Sequence, residues 1–145
     1  MPTPAPRANA DDRYPVGERQ PHLVRTRTGR PLSDLTLDRV LAGEVTAADF
    51  AITADGLRLQ AEIAERAGRP RLAANLRRAA ELVAIPEADV LALYEQLRPG
   101  RAHSAAALRA TAEHLRRDYR AEAVAAFFDE AADAYERRGV FTRRA

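Results

Sequence analysis

No cysteine occurs anywhere in the 145 residues of this chain. That excludes disulfide bridges, thiolate chemistry and cysteine-ligated zinc. Lysine is missing too, so all 23 basic residues are arginine. With abundant alanine, this is the composition of a GC-rich genome rather than a functional choice. No apolar run approaches the roughly 20 residues needed to span a bilayer, and the N-terminal MPTPAPRANADD lacks the apolar core of a signal peptide. The expectation is a cytoplasmic protein with no membrane partner. A glycine-rich phosphate loop and a nucleophile elbow are absent as well.

Charge is plentiful but balanced, at a formal +2. A dedicated nucleic-acid binder normally shows a basic stripe or face. Arg66, Arg69, Arg71, Arg77 and Arg78 do cluster, but Glu62, Glu65 and Glu81 sit among them. This pattern reads as a solvated helix face laced with ion pairs, not as a nucleic-acid site.

At this length the chain is read as one domain, preceded by two distinct segments. Residues 1–13 are rich in proline and alanine and are expected to be a disordered tail. Residues 14–35 carry Tyr14, Val16, Leu23, Val24, Leu32 and Leu35 with neither helical nor strand period. Pro15, Pro21, Pro31, Gly17 and Gly29 forbid a long regular element there. Leaving those side chains in water forgoes roughly 1.5–3 kcal/mol each. The segment is therefore read as an extended docking arm, lying over its own helices or over another subunit. Residues 36–141 are expected to be all-α, an irregular helical body with no β-sheet and no internal repeat.

Within that body Thr36 caps a short helix whose face is Leu37, Val40 and Leu41, ended by Gly43. Thr46 and Asp49 form a capped turn that carries Phe50. A third helix spans about 54–67, with Leu57, Ile63 and Ala64 inward and Gly68 past its end. Residues 69–99 read as two helices meeting at Ile85-Pro86, since a residue before proline leaves the α region. Leu72, Leu76, Ala79 and Val83 form the stripe of the first, with Asn75 either at its edge or buried against a partner's backbone. In the second, Val90, Leu91, Leu93, Tyr94 and Leu97 cover roughly 160° at about 100° per residue. That exceeds the ~100° stripe of an ordinary surface helix. Either this helix is sunk in its own core or it faces both its own fold and a partner.

The last helical pattern starts at the N-cap Ser104 and reaches about Arg138. Leu108, Ala112, Leu115 and Tyr119 line one face; Val124, Phe127, Phe128, Ala131 and Tyr135 line another, rotated by roughly 150°. One straight rod of roughly 50 Å cannot turn both faces to a single small core. The pattern breaks near 120–122, or its halves bury against different bodies; the second reading is preferred.

Chemistry is harder to find. The histidines are His22, His103 and His114, and none is read as having a carboxylate or imidazole three or four positions away that builds a metal site. The Glu-x-x-His pair of bundle di-metal sites is missing. Asp129, Glu130, Asp133 and Glu136 are the only candidates for paired carboxylates, and their alternation with arginine reads as a solvated face. The site expectation is accordingly no catalytic, no cofactor-binding and no metal-ligating residue on this chain.

Several stretches, taken in order, resemble one known family. They are Tyr14-Pro15, residues 28–45 (TGRPLSDLTLDRVLAGEV), 52–69 (ITADGLRLQAEIAERAGR), 72–86 (LAANLRRAAELVAIP), 91–99 (LALYEQLRP) and 125–135 (AAFFDEAADAY). Together they resemble the small (gamma) subunit of adenosylcobalamin-dependent diol and glycerol dehydratases. The resemblance implies a mainly helical, non-catalytic subunit that wraps a large (alpha) catalytic subunit beside a medium (beta) subunit, in a dimer of heterotrimers. It implies that adenosylcobalamin lies between the large and medium subunits, and that substrate and metal ions lie in the large one. The holoenzyme would convert propane-1,2-diol to propanal, or glycerol to 3-hydroxypropanal, with release of water. Residues 1–13 do not match the amphipathic extension associated with microcompartment packaging, so encapsulation by that route is not expected. Gly100 stands where an aromatic is common after the LRP of residues 97–99. The alternative reading is a free-standing helical module that binds protein or nucleic acid.

Overall fold

A computed structural model describes residues 12–141. The expected tail falls mostly outside the described residues. Among these, the chain forms seven α-helices: α1 (Val16–Arg19), α2 (Leu37–Leu41), α3 (Ala54–Arg66), α4 (Pro70–Leu82), α5 (Glu87–Leu97), α6 (Ala105–Tyr119) and α7 (Glu122–Arg137). Single 3-10 turns at Pro21–Leu23, Leu32–Asp34 and Ala47–Phe50 complete the regular structure, and no strand is present among the described residues. The chain divides into two compact units after residue 77.

The first unit begins with the proline-punctuated segment, which makes short turns because no two prolines leave room for a longer helix. Its one reversal is a tight loop in which Thr26 N–H donates to Arg30 O at 2.9 Å and an isolated bridge pairs Arg25 with Pro31. Gly29, at φ +90°, supplies the backbone angle that this loop needs. Thr36 then caps α2, its hydroxyl accepting from Arg39 N–H at 3.4 Å. Thr46 and Asp49 form a capping box on the following 3-10 turn. Helix α3 starts on a Thr53 cap and ends in a left-handed Gly68, where Arg69 N–H reaches back to Ala64 O at 2.8 Å.

What the first unit buries is small. Ala61 and Ala64 of α3 pack against Ala73 of α4, with Leu76 partly covered; Val45 is buried too, and so is Ile63, inward as its spacing predicts. Methyl groups let the two helices approach closely, and this corrects the expected stripe of α4. Ala73 and Leu76 face inward in this unit, while Leu72 turns outward. Asn75 is exposed on this chain.

The second unit has a larger core. Leu108, Ala112 and Leu115 of α6 meet Val124, Ala125, Phe128 and Ala132 of α7, and Ile85 and Leu93 close one side. Phe128, Leu108 and Leu115 are its largest fully buried side chains. The break between α6 and α7 falls at Arg120, which adopts a left-handed conformation at φ 53°. Arg120 and Ala121 N–H groups both turn back to Leu115 O. The chain reverses there, and α7 runs antiparallel to α6, so Arg109 near the start of α6 reaches Asp133 and Glu136 near the end of α7. This corrects the preferred reading of the Ser104–Arg138 pattern: the two faces differ by roughly 150° in an ideal rod, but the break turns both to one core. No second body is needed.

Candidate interaction surface

Asp49 is the only buried charged side chain among the described residues, at 5% exposure. A capping box satisfies part of it, because Thr46 N–H donates to Oδ2 at 2.9 Å. The other oxygen faces the proline-rich segment. Thr26 and Thr28 hydroxyls both donate to Oδ1, the former at 3.2 Å, and Arg30 Nε lies 3.7 Å away. The Thr28 hydrogen bond and then the Thr46 amide hold the carboxyl below its ordinary range, against the opposing effect of burial; Thr26 and Arg30 add to the lowering. The 26–30 loop is therefore clamped onto the helical part of its own unit. Arg13 adds a second tie, 3.3 Å from Glu62 on α3.

Between those ties the apolar side chains stay outside. Tyr14 and Leu23 are exposed, and so is the whole apolar face of α2. Leu37 is 72% and Leu41 77% exposed, with Val40 beside them at 39%; Phe50 and Ile52 follow at 61% and 64%. Helix α2 is capped at both ends, so its stripe is well formed and unmatched. Covering these five side chains would contribute on the order of 5–9 kcal/mol, comparable with the net stability of a whole domain.

In the second unit, α5 divides its wide arc. Leu93 is buried, and Val90 and Leu97 pack against the core. Leu91 and Tyr94, further round the same arc, are exposed. The helix thus has one side on its own fold and another side open. On its opposite flank a groove of about 390 Å³ separates α5 from α6, lined by Asp89, Gln96, Thr111, His114 and Tyr119 over Leu93 and Leu115. Its polar groups are committed to one another. Tyr119 Oη donates to Asp89 Oδ2 at 2.7 Å, which raises the phenol's pKa, and Thr111 donates to Gln96 Oε1 at 2.7 Å.

His114 Nδ1 lies 2.6 Å from Asp118 Oδ2, one helical turn on. This i, i+4 spacing is visible in the sequence, although no metal site follows from it. Arg117 and then His114 hold the Asp118 carboxyl below its ordinary range. Two groups do not make a metal site, and no cluster of three metal-ligating side chains occurs among the described residues. His22 and His103 are exposed.

The acidic set on α7 is tied to α6. Asp129 meets Arg116 at 2.7 Å, while Asp133 and Glu136 both meet Arg109. Glu130 faces solvent. Arg77 pairs with Glu65 across α4 and α3, and the Arg78 guanidinium sits 5.0 Å over the Phe127 ring. Glu81 corrects the reading of that charged cluster. Rather than lining a solvated face, its carboxylate accepts from Ala123 N–H at 3.0 Å and Val124 N–H at 2.8 Å, capping α7.

Residues 9–142 match the family described as dehydratase small subunit. The chain is 48% identical over 125 residues to a propanediol dehydratase small subunit of Citrobacter freundii, covering 86% of this chain and 72% of that protein. It is 45% identical over 143 residues to the protein of the same name in Salmonella typhimurium (strain LT2), covering 94% and 82%. With a match that takes in almost every element from α1 to α7, the chain belongs to the dehydratase small-subunit family.

Proposed function

We propose that this chain is the non-catalytic structural small subunit of a cytoplasmic, adenosylcobalamin-dependent diol dehydratase, and that it wraps and stabilises a large catalytic subunit beside a medium one, in a dimer of heterotrimers. That holoenzyme dehydrates propane-1,2-diol to propanal, or glycerol to 3-hydroxypropanal. One observation carries the reading: large side chains on α2, on the Ala47–Phe50 turn and on α5 lie in water, while the first unit buries only Val45 and Ile63 beside its alanines among the described residues. A fold with that distribution has apolar surface left for another chain to cover. In this reading residues 14–35 are a docking arm, which offers Tyr14 and Leu23 outward while Asp49 holds its loop in place.

Adenosylcobalamin supplies radical chemistry to the holoenzyme when bound, and the reading gives its seat to the large and medium subunits. A groove of about 390 Å³ whose polar groups already bond to one another does not fit a corrinoid macrocycle. No step is assigned to this chain's residues. The experiment is reconstitution: the three subunits, each purified or co-expressed, are assayed for aldehyde formation from propane-1,2-diol with added cofactor. Turnover should require the large subunit and fall when this chain is omitted, while this chain alone should give none. Dehydratase turnover by the isolated chain would overturn the proposal.

A further inference from the structure

We propose that residues 37–52, comprising α2 and the Ala47–Phe50 turn, form the principal seat for the large dehydratase subunit, and that the first unit becomes fully ordered only on that seat while the second unit stands without it. This rests on the small-subunit reading above and specifies where that subunit is met.

The two units differ in how they are built. The second encloses Phe128, Leu108 and Leu115 and caps α7 with Glu81. The first buries Ala61, Ala64 and Ala73 with Val45 and Ile63, and leaves Leu37, Leu41, Phe50 and Ile52 outside. At roughly 150–200 Å² per large side chain, its exposed apolar residues, with Val40, Tyr14, Leu23 and Leu72, present on the order of 800 Å². That is about the share that one partner brings to a standard protein interface. Five of the eight lie within residues 37–52.

The charges around the stretch favour a protein partner over a membrane. Arg39, its one cation, is held by Asp34 at 2.8 Å and by Glu44 at 3.8 Å. Asp38 on α2 adds an acidic group, and Asp55 at the start of α3 is paired with Arg58 at 3.0 Å. An interfacial membrane helix needs unpaired cations beside its apolar face. The surface here is apolar with a neutralised or acidic rim, and it suits a dry, apolar patch on a larger protein.

Hydrogen exchange of the full chain, free and in the complex with large and medium subunits, tests this directly. Amides of residues 37–52 and of α3 should gain at least tenfold protection on assembly, and those of α6 and α7 should change less than threefold. A Leu37→Ser, Leu41→Ser double variant should keep the exchange pattern of α6 and α7 while its recovery in the complex drops at least tenfold. Protection of 37–52 already present in the free chain, whether from self-association or from its own second unit, would overturn the inference. So would normal recovery of the double variant. Failure of the unaltered chain to associate at all would instead remove the small-subunit reading itself.

Discussion

Val124 gives its backbone N–H to the carboxylate of Glu81, 2.8 Å away and 43 positions earlier in the chain. Helix α7 has no side-chain cap of its own, because the residue before it is Ala121. Its first free N–H groups would otherwise be unmet, and a negative charge at that end is also favoured by the helix dipole. Glu81→Ala should therefore destabilise the second unit by about 1–2 kcal/mol, and Glu81→Gln by less. Faster exchange of the Ala123 and Val124 amides, ahead of the rest of α7, is the expected signature.

Arg120 supplies a second test. A left-handed residue with a Cβ costs roughly 1–2 kcal/mol relative to the right-handed region, and glycine avoids that cost while losing some in unfolded-state entropy. Arg120→Gly should raise the unfolding midpoint slightly. Arg120→Val should lower it, because a β-branched side chain tolerates φ 53° worst. If both variants lower stability equally, the reversal is not held by backbone conformation.

Acid should release the 26–30 loop. The folded carboxyl of Asp49 titrates below its unfolded value of 3.8. A group with a depressed folded pKa stabilises above the unfolded value, and that contribution is lost as pH falls through the folded one. Exchange of the Thr46 and Arg30 amides should be steady at neutral pH, once corrected for intrinsic rates, and should accelerate only below about the unfolded value. Asp49→Asn should remove that acid step and speed the same amides at neutral pH. A step near pH 6.5, the histidine range, would mean that another group controls the loop.

Burial separates two kinds of leucine in the second unit. Leu108→Ala empties a site that is fully enclosed and should cost about 2–5 kcal/mol. Leu91→Ser changes an exposed position and should alter stability by no more than about 0.5 kcal/mol. On the small-subunit reading the order reverses for assembly: Leu91→Ser and Tyr94→Ser should weaken recovery with the other subunits although the free chain melts as before. Urea denaturation and co-purification of the same variants make the comparison.

Much of this architecture is legible in the residues. Thr36 and Ser104 cap as their spacing with the following apolar positions says they should, and prolines keep residues 14–35 out of long helices. Direction is less legible than element type. The Leu37–Val40–Leu41 stripe says that α2 has an apolar face, but not that the fold leaves it bare, since periodicity carries no record of what lies opposite. Spacing puts Leu72 on the apolar stripe, yet the smaller Ala73 takes the inward place because close helix approach favours a methyl group. The link from Glu81 to α7 spans two helices, and no local pattern encodes it. The Arg120 reversal was only half visible: the change of face required an interruption, but arginine is not a residue that announces a left-handed turn.

The central claim is that this chain is completed by larger subunits, and native mass spectrometry of the co-expressed proteins tests it most directly. The account predicts that the chain is recovered in one-to-one ratio with the large and medium subunits, in a complex holding two of each, and that little of it remains free. A stable, compact monomer that ignores both subunits at micromolar concentration would contradict it.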